Sequence, residues 1–463
     1  MDARKLARSW NQEDRMPTAA PAAATTVDVL KDLFAGVDIR NFRVRLWDGT
    51  VWAPEAATEP AFTLVIETPS ALRSLLSAGS EAALVEAYLA GDLSIEGDIY
   101  AVPPLGRAIL RQRIGLGRRA RIAFRLLKLP KDGDGGDTLE VPGGDAGDDG
   151  GPPTGRIPAA ELRGEVHSIE RDRAAVTHHY DLSNRFYSLF LDPRMVYSCA
   201  VFRRPDEDLE PAQLRKLNLV CRKLRIREGD RLLDVGCGWG ALIIHAARAY
   251  GASALGITLS ERQAELARKR IRDAGLEGRC RVEVHDYREL ESGAFDRVAS
   301  VGMFEHVGRA RAPEYFATIF RLLRPGGSYL HHAITANPLG EPHPGPTMSD
   351  KYVFPDHELI PIGETLGYAE EVGFDVRDLE ALREHYALTL RRWVTALERH
   401  KAEAVADVGE ATWRAWHLMF AGSALDFEAN KQEISQVLMV KPRGDGSAEL
   451  PLGRWDWYDA PPD

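Results

Sequence analysis

Long apolar runs are missing from this 463-residue chain; none reaches the roughly 18 residues that a membrane-spanning helix needs. Residues 1–17 are polar and charged and lack the apolar centre of a secretory signal. Cysteine is scarce. The four present, Cys199, Cys221, Cys237 and Cys280, show neither metal-ligand spacing nor the density of a disulfide scaffold, so no metal site is expected. No triad spacing points to a side-chain nucleophile. The formal net charge of -10 argues against nucleic-acid binding. The cytoplasm is the expected compartment.

What remains is a chain long enough for two or three domains. Residues 1–26 are Ala/Pro-rich and read as loose. Residues 27–106 read as a small α+β accessory domain. Phe42 to Trp47 and Phe62 to Ile66 alternate like strands, and residues 70–90 carry helical spacing. In residues 107–131, nine Arg/Lys stand among Ile, Leu and Phe without one acid, the pattern of a basic amphipathic segment. Residues 132–158 are rich in Gly and Asp and read as a linker. From residue 159 to 463, apolar strands (231–235, 254–258, 280–285, 296–301, 328–334) alternate with helical stretches. That alternation predicts an α/β fold with a doubly wound, mostly parallel, Rossmann-like sheet.

The densest signal is Arg231-Leu-Leu-Asp-Val-Gly-Cys-Gly-Trp-Gly240. A strand ends in three alternate glycines and a helix follows, which is the opening of a nucleotide-binding βαβ unit. The second strand ends in Thr258-Leu259-Ser260, where a nicotinamide-binding domain would often carry an acid for the ribose hydroxyls. Ligands of such sheets lie beyond the carboxyl ends of the strands. Those ends bring forward Asp234 with Gly236 and Gly238, Thr258 with Leu259 and Gln263, Asp286 with Tyr287, and Glu305. On the later strand, period two puts His332 and Ile334 on one face and His331 on the other.

Four segments resemble the family of cyclopropane-fatty-acyl-phospholipid synthases and mycolic acid methyltransferases, which use S-adenosylmethionine. They are His179-Tyr-Asp-Leu-Ser-Asn184, Tyr197-Ser-Cys-Ala200, Leu233-Asp-Val-Gly-Cys-Gly-Trp-Gly240 and Met303-Phe-Glu-His-Val-Gly308. Thr258 to Gln263 and His385-Tyr386 with Thr389, Leu390 and Trp393 extend the likeness. Gly91 to Asp98 is similar to the accessory domain of the phospholipid-acting members.

The resemblance implies a cofactor held by Tyr197, Ser198, Asp234, Gly236, Gly238, Thr258, Leu259, Gln263, Asp286 and Tyr287. It implies an acyl double bond as nucleophile and a carbocation that loses a proton to a bound bicarbonate. The bicarbonate would be held by the Cys199 amide with Glu305, His332 and Ile334. His179, Tyr180 and Met419 are candidates for the substrate and base site. A family tyrosine before the small-residue segment Ala421-Gly-Ser-Ala424 is replaced here by Leu418 or Met419. That departure favours a methylene or methyl branch, of the tuberculostearic type, over a cyclopropane. The partners implied are an unsaturated acyl phospholipid at the inner face of the membrane, a reductase for the saturated product, and a second copy in a homodimer. Each residue also has a plainer reading: Glu305 as a helix-start acid, His332 as a core histidine, Cys199 as a small buried residue, Asp234 as a brace for the turn, Tyr180 and Tyr197 as core. A nicotinamide oxidoreductase, a methyltransferase of a small soluble metabolite and a non-catalytic lipid-binding protein are the competing classes.

Overall fold

The chain divides into two units, residues 1–148 and 149–463. The computed structural model describes residues 19–73, 81–130, 162, 164–180, 182–291, 295–337 and 348–458. Most of the first expected segment, 1–26, and all of the expected linker, 132–158, lie outside the described residues.

The first unit is a four-stranded sheet in the order β2-β1-β3-β4, from β1 (Phe42–Leu46), β2 (Val51–Trp52), β3 (Phe62–Ile66) and β4 (Leu93–Gly97). Phe34, Phe42, Trp52 and Phe62 stack at its centre, with ring centroids 5.0–6.2 Å apart. The first helix, Ala19–Phe34, begins inside the segment expected to be loose. Its Val29, Leu30, Leu33 and Phe34 are buried, and that burial outweighs the Ala/Pro composition read as disorder. The basic segment is two helices, Val102–Arg111 and Leu116–Leu126, because Gln112 and Gly115 are extended between them. The second is fastened to the first helix of the unit: Arg125 donates to Asp28 O (2.8 Å) and pairs with Asp32 (2.5 Å).

The second unit holds seven strands in the order β10-β11-β9-β8-β5-β6-β7. They are β5 (Arg231–Val235), β6 (Ser253–Thr258), β7 (Cys280–Val284), β8 (Phe295–Val301), β9 (Leu323–Ala336), β10 (Asp375–Ala381) and β11 (Gln432–Val440). β9, β8, β5, β6 and β7 run parallel, while β11 is antiparallel to both β9 and β10. The last two strands escaped the sequence reading. β10 is a half-exposed edge whose Asp375, Arg377, Asp378 and Glu380 hide an apolar pattern, a charge usage typical of edges. The order reverses at β5, between β6 and β8, and this is the switch point where a ligand crevice opens. Among the described residues no helix is long and apolar enough to cross a membrane.

The turn after β5 is clamped to β6. Gly236 and Cys237 both donate their N–H groups to Ile257 O (3.0 and 2.9 Å). The approach is close enough that a Cβ added at Gly256 would stand 2.7 Å from Cys237 Cβ and Sγ. Gly256→Ala should therefore destabilise the protein by about 1–3 kcal/mol. Cys237→Gly should recover part of that loss in the double variant. Denaturant unfolding of the two single variants and the pair checks it, and strictly additive losses would show that the contact is not the cause.

Candidate active site

The carboxyl ends of β5, β6 and β8 form one wall of a cleft. Asp234, Gly236, Gly238, Thr258, Leu259, Gln263, Asp286 and Tyr287 line it, and Tyr197, Ser198 and Tyr180 close it from the preceding segment. All ten residues expected to hold a cofactor thus face one space. Gly236, Gly238 and Gly240 have φ of 81°, 52° and 80°, a region that glycine alone enters at little cost. A Cβ at Gly236 would also meet Met303 at 3.0 Å. The hydroxyl of Thr258 donates to Gln263 Oε1 (2.7 Å), and Ser260 caps the following helix by accepting from Gln263 N–H (3.2 Å). Asp286 is held by Arg288 (2.7 Å), which also reaches Asp172 (2.9 Å) and His167 O (3.1 Å). Trp239, Met303 and His306, members of the quoted segments, line the cleft too, as do Asp172 and Arg288, which the sequence reading did not single out.

Lys216 is the most consequential omission. It lies on the helix Leu209–Lys223, is 2% exposed, and donates from Nζ to Ser198 Oγ (2.8 Å). Burial lowers its pKa to about 8. The signal was available: Gln213, Lys216, Leu217 and Val220 occupy i, i+3, i+4 and i+7 of one buried face.

The expected catalytic residues lie outside the residues lining the cleft. Ile334 N–H donates to Glu305 Oε1 (2.7 Å), while Glu305 Oε2 is buried without a partner among the described residues. Both ring nitrogens of His332 are likewise buried and, among the described residues, unpartnered. Burial pushes the Glu305 carboxyl up to about 7 and holds His332 well below its ordinary value, so the imidazole is neutral. The charge of Glu305 helps to raise the hydroxyl pKa of Tyr180, after burial, which places the carboxyl within electrostatic reach of the cleft wall. These orphaned atoms fit a small oxyanion such as bicarbonate: His332 has one N–H to give, and a protonated Glu305 has one O–H. Cys199 is fully buried, and burial raises its thiol pKa, so it is no thiolate nucleophile. Its segment is pinned by the His385 motif. Ala200 N–H donates to Thr389 Oγ1 (3.0 Å) and Phe202 N–H to His385 Nδ1 (3.0 Å).

An aromatic wall completes the site. His179 stacks on Phe354 (4.0 Å), Trp416 (4.9 Å) and Tyr197 (5.7 Å). Tyr197 in turn packs on Trp393 (5.1 Å) and Tyr187 (5.6 Å). Ring faces carry negative potential and suit a cation. Met419 is buried on the helix Glu410–Glu428 that also carries Trp416 and Phe420.

A family model described as "Mycolic acid cyclopropane synthetase" matches residues 167–437, and a domain family of unknown function matches residues 29–103. A protein described as a probable fatty acid methyltransferase from Pseudomonas putida is 38% identical over 421 residues, which is 90% of this chain and 96% of that protein. Cyclopropane mycolic acid synthase 3 of Mycobacterium tuberculosis is 35% identical over 274 residues, covering 57% of this chain and 95% of that protein. Among solved structures, the mycolic acid cyclopropane synthase CmaA1 complexed with SAH and CTAB superposes with a TM-score of 0.55 at 33% identity, covering 58% of this chain and 98% of that one.

The state of Glu305 can be read from stability. Its folded pKa, about 7, lies above the ordinary 4.5. Below both values the two states bind the proton equally. As pH rises, the unfolded chain releases it first, and above pH 7 the folded state carries the full cost of a buried carboxylate. Glu305→Gln should then gain up to about 3 kcal/mol at pH 8, a gain that vanishes toward pH 4. The same variant should keep cofactor affinity and lose most turnover, because it keeps the shape of the side chain and removes its acid. Chemical denaturation across pH, beside calorimetry and a turnover assay, checks all three. An unchanged stability profile with wild-type turnover would make Glu305 an ordinary solvated acid.

Proposed function

Because the chain belongs to the mycolic acid cyclopropane synthetase family of S-adenosylmethionine-dependent methyltransferases, we propose that it methylates the cis double bond of an unsaturated acyl chain in a phospholipid. The product we propose is a methylene-branched chain, which a separate reductase would saturate to a methyl branch. The observation that carries the reading is the set of partnerless buried polar atoms on Glu305 and His332. A fold needing only to bind lipid has no use for them.

S-adenosylmethionine, when bound, supplies the methyl group, and Tyr197, Ser198, Asp234, Thr258 and Gln263 are the residues that would hold it. Bicarbonate, when bound, supplies a proton acceptor, held by Cys199, Glu305, His332 and Ile334. The chain's own residues do the rest. The aromatic wall from His179 to Trp416 excludes water from a cation that water would trap. Glu305 sets a negative charge, or a hydrogen-bond donor, at the end of β8. The acyl cation has two neutral exits. Proton loss from the new methyl closes a cyclopropane; a hydride shift followed by proton loss leaves a methylene branch. The resemblance puts Leu418 or Met419 where the family has a tyrosine, so one hydroxyl anchor of the base would be absent, and this favours the branch. A cyclopropane is the second reading, favoured by the names of the relatives that match the catalytic unit.

The substrate at a membrane is supported by the first unit. Around the helix Leu116–Leu126 and the turn after it, Leu116, Ala120, Ala123, Phe124 and Leu127 all face solvent, with Leu116 85%, Leu127 70% and Phe124 62% exposed. Arg119 flanks this stripe on one side, Arg121 and Lys128 on the other, while Ile122 and Leu126 anchor the inner face. An apolar stripe bordered by cations suits an anionic bilayer surface. The relative that matches 90% of the chain bears the name of a fatty acid methyltransferase.

Two experiments test this. Expression in a host rich in oleoyl phospholipid should yield lipid showing vinylidene signals in proton NMR. Predominant upfield ring-methylene signals would replace the branch by a cyclopropane, and no incorporation of labelled methyl would remove the acyl substrate altogether. In liposome flotation, the triple variant Leu116→Ser, Phe124→Ser, Arg119→Glu should lose most binding to anionic vesicles; flotation equal to that of the unaltered protein would exclude this helix as the contact.

A further inference from the structure

The ammonium of Lys216 is buried against the cleft and, among the described residues, makes one hydrogen bond, to Ser198 Oγ, out of the three it can donate. Burial acts on it most; through space Cys199, then Asp192 and Asp234, favour its charge, yet among the described residues neither carboxylate forms an ion pair with it within 4.0 Å. A buried charge without a close partner is costly and calls for a counter-ion. The cofactor of this family carries one anionic group, the carboxylate of its amino-acid end, beside a cationic ammonium and a cationic sulfonium. A lysine facing this cleft repels two of those groups and can only attract the third.

We infer that Lys216 is the counter-ion of the cofactor's amino-acid carboxylate and that it fixes Ser198 as a second donor to it. Because Lys216 gives its N–H to Ser198 Oγ, the serine oxygen is an acceptor there and its own hydroxyl proton is available to a ligand in the cleft that Ser198 lines. Gln213 holds the same residue by donating from Nε2 to Ser198 O (2.8 Å). Asp234, across the same space, carries the opposite sign. Burial pushes its carboxyl up to about 7, and Lys216 pulls it back. Lysine and aspartate are thus a separated pair, set to receive a zwitterion of the opposite polarity. A bound carbonate is the other anion this site could hold. The residues that would carry it, Glu305, His332, Cys199 and Ile334, do not line the cleft, whereas Lys216 and Ser198 do.

The inference rests on the cofactor reading, and its test separates the two. Calorimetry would compare S-adenosylhomocysteine, its decarboxylated analogue and adenosine, on the unaltered protein, on Lys216→Met and on Lys216→Gln. The unaltered protein should prefer the carboxylate-bearing ligand over the decarboxylated one by roughly 10- to 100-fold, the range for a hydrogen bond to a charged group. Both variants should lose most of that preference and bind adenosine unchanged. Either variant suffices should the other fail to fold. The assignment is overturned if the preference survives the substitution, or if adenosine affinity falls by the same factor, which would mark Lys216 as structural. It is equally overturned if the variants keep the preference and lose only a dependence of turnover on added bicarbonate. An unaltered protein that binds none of the three ligands would instead overturn the cofactor reading.

Discussion

The hydrogen bond from Ile334 N–H to Glu305 Oε1 is the contact on which the site depends. It ties the short turn after β8 to the end of β9, so one carboxylate oxygen is fixed and the other is left without a partner. A surface loop could present a glutamate with less effort, but water would then screen it. Here the acid sits in an apolar surround that makes ionisation expensive, and a charge held that way acts strongly on any cation nearby.

That contact explains the shape of the surrounding parts. The segment 199–202 must lie close to it, and Thr389 and His385 hold it there by accepting the N–H groups of Ala200 and Phe202. The aromatic rings then fill what remains, from His179 through Tyr197 to Trp393 and Trp416. The expected cofactor residues line the cleft, while Glu305, His332, Cys199 and Ile334 lie outside its lining. The division suits a reaction in which one partner is a charged nucleotide and the other a hydrocarbon chain.

The switch-point half of the fold was legible in the sequence because its constraints are local. β5 and the helix Ala241–Tyr250 come out where the apolar run and the glycines put them, since a strand buried on both faces needs continuous apolar residues and a left-handed turn needs glycine. The cofactor residues followed because strand ends in such sheets have a fixed polarity. β10 and β11 were hidden for the opposite reason: their pairing spans three intervening helices in sequence, and β10 is half solvated. The helix start at Ala19 was missed because tertiary burial of Val29 and Leu33 overrode composition. Lys216 was missed because a lysine on a helix reads as surface unless its neighbours are checked for the buried face. The His385, Tyr386 and Thr389 motif was visible as a pattern, but only the fold shows that two of its members serve as acceptors for a distant backbone.

β9 is hydrogen-bonded to β8 on one side and to β11 on the other through the stretch that holds His332. Its amides can exchange with solvent only when two ladders open together, which makes it part of the slowest-opening core. The residues around Met419, by contrast, sit on a helix that is held to its neighbours by side chains rather than by a strand ladder. The backbone under the acid site is therefore rigid by topology, while the wall opposite it can be recut by single substitutions. Single substitutions on that helix can therefore reshape the space its side chains fill without disturbing the doubly paired strand.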